Sequence, residues 1–183
     1  MDEGNGRARL AIIACEILKP ELEKLTEGWD DVVHKEYLEF ALHINPEDLR
    51  AQVLDKVNAL QGKADAVFLG YATCQSLSGI TAHLKVPTVM LDGDDCIAAV
   101  LGPVEYARQK SLCGGTWFNT PGWALRGIDG AIKELHLDSM VDQGYEPKYF
   151  LDMLFENYER CLYVDTDVGD GERYEGLSRK FAE

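Results

Sequence analysis

Two short stretches, LAIIAC at 10–15 and AVFLG at 66–70, are apolar at every position. A strand with one face in water alternates apolar and polar residues; one apolar throughout is buried on both faces. That pattern belongs to parallel sheets covered by helices. VPTVMLD (86–92) and RCLYVDT (160–166) read as further strands, and GTWFNT (115–120) as a short one. In the second stretch, Gly70 and Tyr71 end the apolar run. EYLEFALH (36–43) fits strand or helix, and a strand ending at His43 is preferred.

Helical patterns lie between these strands. Leu22 and Leu25 mark one that breaks at Gly28. NPEDLRAQVLDKVNAL is the clearest. Asn45 can cap it, Pro46 suits its first turn, and Glu47 and Asp48 sit at its positive end. Leu49, Val53, Val57 and Leu60 then form its buried stripe. CIAAVLGPVEYARQK is helical but interrupted at Gly102-Pro103. PGWALRGIDGAIKEL, PKYFLDMLFENYE and the tail GERYEGLSRKFAE read as helices too. Strands alternating with helices, without repeats or long linkers, predict one three-layer α/β domain over 1–183. Its sheet would be mainly parallel and Rossmann-like.

Composition narrows the function. Eighteen Lys and Arg against 32 Asp and Glu give a net charge of −14 and a pI near 4.6. Nucleic acid and anionic membrane need clustered cations, which are lacking, so neither is an expected partner. No apolar stretch approaches the roughly 20 residues of a membrane span. The acidic start MDEGNGRAR is unlike a signal peptide, so a cytoplasmic location is expected.

There are five cysteines, an odd number, and no CxxC pair. Without a secretory signal, thiols with a metal-binding or catalytic role are expected over a disulfide framework. Cys15 follows RLAIIA, Cys74 follows AVFLGYAT, and Cys96 follows VPTVMLDGDD. Each stands at or just past a strand end where a helix begins, and in parallel sheets the functional crevice lies at that rim. Three thiolates there can hold one metal ion, zinc or iron, or part of an iron–sulfur cluster. His43, water or substrate would take the remaining position. Alternatively one thiol, activated by a helix start, is a nucleophile with His43 as its acid–base partner. A lone cysteine is more often simple packing, and only the shared position of three favours chemistry. Cys113 falls in a loop and Cys161 inside the last strand, and both are set aside. His34, His83 and His136 have no companion.

TWFNTPGW (116–123) is the other informative stretch. Trp117, Phe118 and Trp123 around Thr-Pro-Gly can wall a concave ligand site. A hydrophobic plug beneath a helix start has the same residues. DTDVGDG (165–171) lacks a calcium loop's spacing, with Gly169 and Gly176 at ligand positions, and reads as a solvated turn. GxGxxG, Walker, GxSxG and HExxH motifs are missing.

At LAIIACEIL, ALHINPEDLR, LGYATCQSLSGI, DDCIAAVLG and GTWFNTPGW the chain resembles domain-of-unknown-function family sixteen-thirty-eight. The likeness covers most of the chain, to about the aromatic turn. It implies that Cys15, His43, Cys74, Asp95, Cys96 and Thr120 to Trp123 are the recurring positions. Ala72 and Gln75 stand where relatives have glycines, and Asp92-Gly93-Asp94 where they carry Arg and His. The family occurs in methanogens and anaerobic bacteria, often encoded beside corrinoid-dependent methyltransferases. The resemblance therefore implies anaerobic one-carbon metabolism, with a corrinoid protein or methyltransferase as partner. Two alternatives to a metal protein stand: a thiol enzyme, or a binding module for such a partner.

Overall fold

A computed structural model of the chain describes residues 7–73 and 75–183. The fold is α/β, with a mainly parallel sheet flanked by helices. Its residues cluster into two compact units, Met1–Cys96 and Ile97–Glu183.

The first unit holds four strands: β1 Leu10–Cys15, β2 Val32–Leu38, β3 Ala66–Ala72 and β4 Thr88–Leu91. They pair in the order β2-β1-β3-β4, every pair parallel. Helix α1, Lys19–Leu25, links β1 to β2, and α2, Pro46–Asn58, links β2 to β3. The uniformly apolar β1 is central and buried on both faces, with Ala11, Ile13 and Ala14 wholly enclosed. Leu49, Val53 and Val57 of α2 are likewise fully buried, the stripe the sequence predicts. Asn45 caps α2, its Oδ1 accepting from the Asp48 N–H at 3.4 Å.

Gly70 does not end β3 but lies inside it, opposite Ala14 of β1. A Cβ there would come within 2.5 Å of Ala14 Cβ and 3.4 Å of Leu22 Cδ1. Glycine is therefore needed for close packing of α1 over the two strands, not for a turn. The second departure is β2, which ends at Leu38 rather than His43. Phe40–Ile44 forms a 3-10 turn instead. The backbone closes on itself there, the Leu42 N–H donating to the Glu39 carbonyl at 3.2 Å and the Asn45 N–H to the Leu42 carbonyl at 3.2 Å.

Helix α3, Cys96–Leu101, starts at the last residue of the first unit, and Gly102 at φ +86° separates it from α4, Pro103–Leu112, which Pro103 opens. Strands β5 Thr116–Asn119 and β6 Arg160–Tyr163 pair in parallel, Trp117 opposite Cys161. Between them run α5, Pro121–Glu134, kinked at Gly127, and α6, Pro147–Phe155; α7, Gly171–Ala182, follows β6. Asn119 is almost wholly buried and satisfied: its Nδ2 donates to Ser178 Oγ at 3.2 Å, and its Oδ1 accepts from Trp117 Nε1 at 3.1 Å. That network ties β5 to α7. Asp165 and Asp170 spend their carboxylates on backbone N–H groups of Asp167 and Arg173, so 165–171 is the solvated turn expected. No helix among the described residues is long and apolar enough to cross a membrane.

Candidate functional site

Strand order decides where the first unit can bind a ligand. The chain leaves β1 toward β2 on one side and leaves β3 toward β4 on the other. The order therefore reverses between β1 and β3, and in open parallel sheets ligands bind beyond the carboxyl ends of the strands at such a reversal. Cys15 is the last residue of β1 and is buried, 7% exposed. Cys74 follows β3 by two residues in sequence and lies outside the described residues. Cys96 opens α3 five residues beyond β4, half-buried. Because all four strands are parallel, the segments bearing Cys15, His43 and Cys96 all leave the same edge of the sheet.

Two contacts that sequence reading missed hold this rim in shape. Glu16 follows Cys15 directly, and its Oε1 accepts from the Phe40 N–H at 3.1 Å. The carboxylate thereby joins the β1 exit to the 3-10 turn that carries His43. On the other side, Thr73 Oγ1 donates to the Leu91 carbonyl at 3.2 Å. That bond joins the residue before Cys74 to the end of β4. The only sequence signal for either was an acidic or hydroxyl residue directly beside a strand-end cysteine.

His43 sits half-buried in the 3-10 turn, five residues past the strand it was expected to end. Among the described residues, no three His, Cys, Asp or Glu side chains form a group able to hold a metal ion. Cys15, His43 and Cys96 are therefore no cage by themselves. Any set built on Cys74 falls outside that statement.

In the second unit, strand alternation divides the aromatic turn. Trp117 packs edge-on against Trp123 at 5.6 Å between ring centroids. Phe118, one residue on, faces the other side of β5 and meets Tyr106 at 5.1 Å. The turn thus contributes two rings to one face and one to the opposite face, so the three do not wall a single site together. Trp117 instead joins Phe155 and Phe181, at 5.2 and 5.5 Å. These rings border a cleft of about 310 Å³ that Cys161 also lines. Burial pushes the Cys161 thiol above its ordinary value, so it stays protonated at neutral pH. Cys113 is a thiol in the loop after α4.

The family model described as "Protein of unknown function (DUF1638)" matches residues 37–183. This chain belongs to that family. The match runs beyond the aromatic turn to the last residue, so it takes in Cys113 and Cys161 as well as His43, Cys74 and Cys96. It begins at Tyr37, leaving β1 and Cys15 outside. No curated protein and no solved structure matches the chain. For this member of DUF1638, function has to be argued from the rim itself.

Proposed function

We propose that the carboxyl rim of the first unit is a soft-metal site. Cys15, Cys74 and Cys96 supply thiolates to one zinc or iron ion or to an iron–sulfur cluster. The single observation that supports this reading is the strand order, which reverses between β1 and β3, the strands that lead to Cys15 and Cys74. The chemistry of the donors agrees, since thiolates favour soft and borderline metals over calcium or magnesium. The Glu16–Phe40 and Thr73–Leu91 bonds hold the exits of neighbouring strands, as outer contacts do at metal sites. Three thiolates leave the fourth position to His43, water or substrate; with water or substrate there, the centre has the open arrangement of a catalytic site.

The biological setting is proposed on the family likeness: anaerobic one-carbon metabolism, alongside a corrinoid protein or methyltransferase as partner.

Anaerobic purification, followed by metal and sulfide analysis and an absorption spectrum, tests the reading. Metal or cluster should be retained, and Cys15→Ser, Cys74→Ser or Cys96→Ser should each release it. His43→Ala separates two roles. Lost occupancy makes His43 a ligand, while retained occupancy with lost turnover makes it an acid–base group at the open position.

A second reading is favoured by one observation, that the segments bearing Cys15 and His43 leave the same edge of the sheet. A thiol enzyme needs only one nucleophilic cysteine and a base. A colourless, metal-free protein that one equivalent of an alkylating agent inactivates would support this reading instead.

A further inference from the structure

The cleft of the second unit lies far in sequence from the cysteine rim and has a different chemistry. Trp117 of β5, Phe155 at the end of α6, Tyr158 just after it, and Phe181 of α7 border it. Phe155 is the hub, with ring centroids 5.2 Å from Trp117, 4.6 Å from Tyr158 and 6.1 Å from Phe181. Leu151, itself buried, also lines it. Cys161 adds a neutral, polarisable wall.

The charges around these rings are uneven. Asp152, Glu159 and Glu183 border the cleft, against Lys148 and Arg160. Lys148 is already neutralised, its Nζ 3.0 Å from Asp152. Arg160 aims elsewhere. It is opposite Thr116 in the sheet, and strand alternation puts it on the face away from Trp117 and Cys161. There its Nε donates to Thr116 Oγ1 and its Nη2 to the Gln109 carbonyl, both at 2.8 Å. Glu159 makes no ion pair among the described residues, the neighbouring Arg160 being held by Thr116 and Gln109. The balance left to a ligand is an aromatic wall with a net negative rim.

An anion is repelled by such a rim. A neutral apolar molecule gains contact with the rings and nothing from Glu159. A cation gains from both, because ring faces carry negative quadrupole density and an alkylated ammonium is cheap to desolvate. The volume, about 310 Å³, suits a small molecule and not a peptide. We propose that this cleft binds a small organic cation, an alkylated ammonium group seated on the aromatic wall with Glu159 balancing its charge.

The test uses the full-length protein and two probes of one shape: choline, and dimethylbutanol, its uncharged carbon isostere. Binding is followed through the Trp117 indole N–H resonance, whose hydrogen bond to Asn119 fixes its position in the spectrum. Choline should shift that resonance saturably and bind at least about fivefold more tightly than the alcohol. Glu159→Gln, an exposed change, should weaken choline about threefold and leave the alcohol alone, an effect that added salt removes. Tyr158→Leu should weaken choline about fivefold through loss of a ring, with the fold kept because this side chain is 43% exposed and leucine still covers Phe155. Cys15→Ser should leave choline binding unchanged, which separates this site from the metal rim. Equal affinity for the two probes would overturn the proposal, leaving an apolar cleft without charge preference. No response to choline up to about 100 mM would overturn it as well, leaving a packing groove.

Discussion

In β1 every residue from Ala11 to Cys15 is buried, whereas none of the four residues of β6 is. Both strands run parallel to their neighbours, yet β1 sits between two partners and β6 pairs with one. A strand enclosed on both sides and both faces leaves a ligand no access except at its end, so a ligand of β1 would have to approach at the rim. The residues of β6 are only half-buried, and the second unit has its cleft on the face that carries Cys161. The difference accounts for how the cysteines are used. Cys15 ends an enclosed strand at the carboxyl rim, while Cys161 stands mid-strand and lines the cleft.

The comparison is broken most severely by hollowing out the enclosed strands. Leu69 in β3 is wholly buried, and Leu69→Ala should cost about 3 kcal/mol in urea unfolding. Leu162→Ala in half-buried β6 should cost about 1 kcal/mol. Equal losses would mean that the two sheets are enclosed alike. Adding an atom works in the same sense. Gly70→Ala drives a Cβ to 2.5 Å from Ala14 and should cost about 2 kcal/mol. Gly114→Ala, where nothing lies within 4 Å, should leave the thermal midpoint almost unchanged.

Gly70 also shows where the sequence could be read and where it could not. Its apolar surroundings marked a buried strand correctly. That it permits close packing of α1, rather than a turn, depends on Ala14 and Leu22, which are distant in sequence. Local signals were reliable where the physics is local. Asn45-Pro46 started α2, Gly102-Pro103 split α3 from α4, and unbroken apolar runs gave β1 and β3. The end of β2 was misread because Tyr37, Leu38 and Phe40 satisfy strand and 3-10 spacing alike. The Glu16 contact that caps the turn comes from 24 residues away. For the site, the place of Cys15 at the end of β1 and of Cys96 at the start of α3 could be read from sequence, since both follow from element boundaries. The strand order that puts Cys15 at the reversal point could not. The cleft was invisible, because Phe155 and Phe181 are brought to Trp117 only by tertiary packing.

Electrostatic changes sharpen the comparison least. Asp65 accepts from the Arg9 side chain and backbone, fastening the start of β1 to the start of β3, and its carboxyl is held at about 2. Glu105 is also held at about 2, by Arg108 and Gln109 on its own helix. A depressed carboxyl pKa stabilises the fold above the ordinary value near 4, and that contribution disappears as pH falls toward 2. Both groups are exposed, so both effects are small. Asp65→Asn should lower the thermal midpoint at pH 7 slightly and make it less sensitive between pH 4 and 2. Glu105→Gln, which removes only a local contact, should do less. The reverse ranking would contradict the claim that the first sheet depends on long-range ties.

The cysteine rim is tested most directly by cobalt(II), added anaerobically to metal-free full-length protein. Cobalt replaces zinc and iron in thiolate sites, and bound thiolates announce themselves by intense charge-transfer absorption. The predicted result is a thiolate–cobalt band that saturates at equimolar metal. It should be lost in Cys15→Ser and Cys74→Ser and kept in Cys113→Ser and Cys161→Ser. Absence of the band, or its equal loss in the Cys113 and Cys161 variants, would contradict a soft-metal site at the rim.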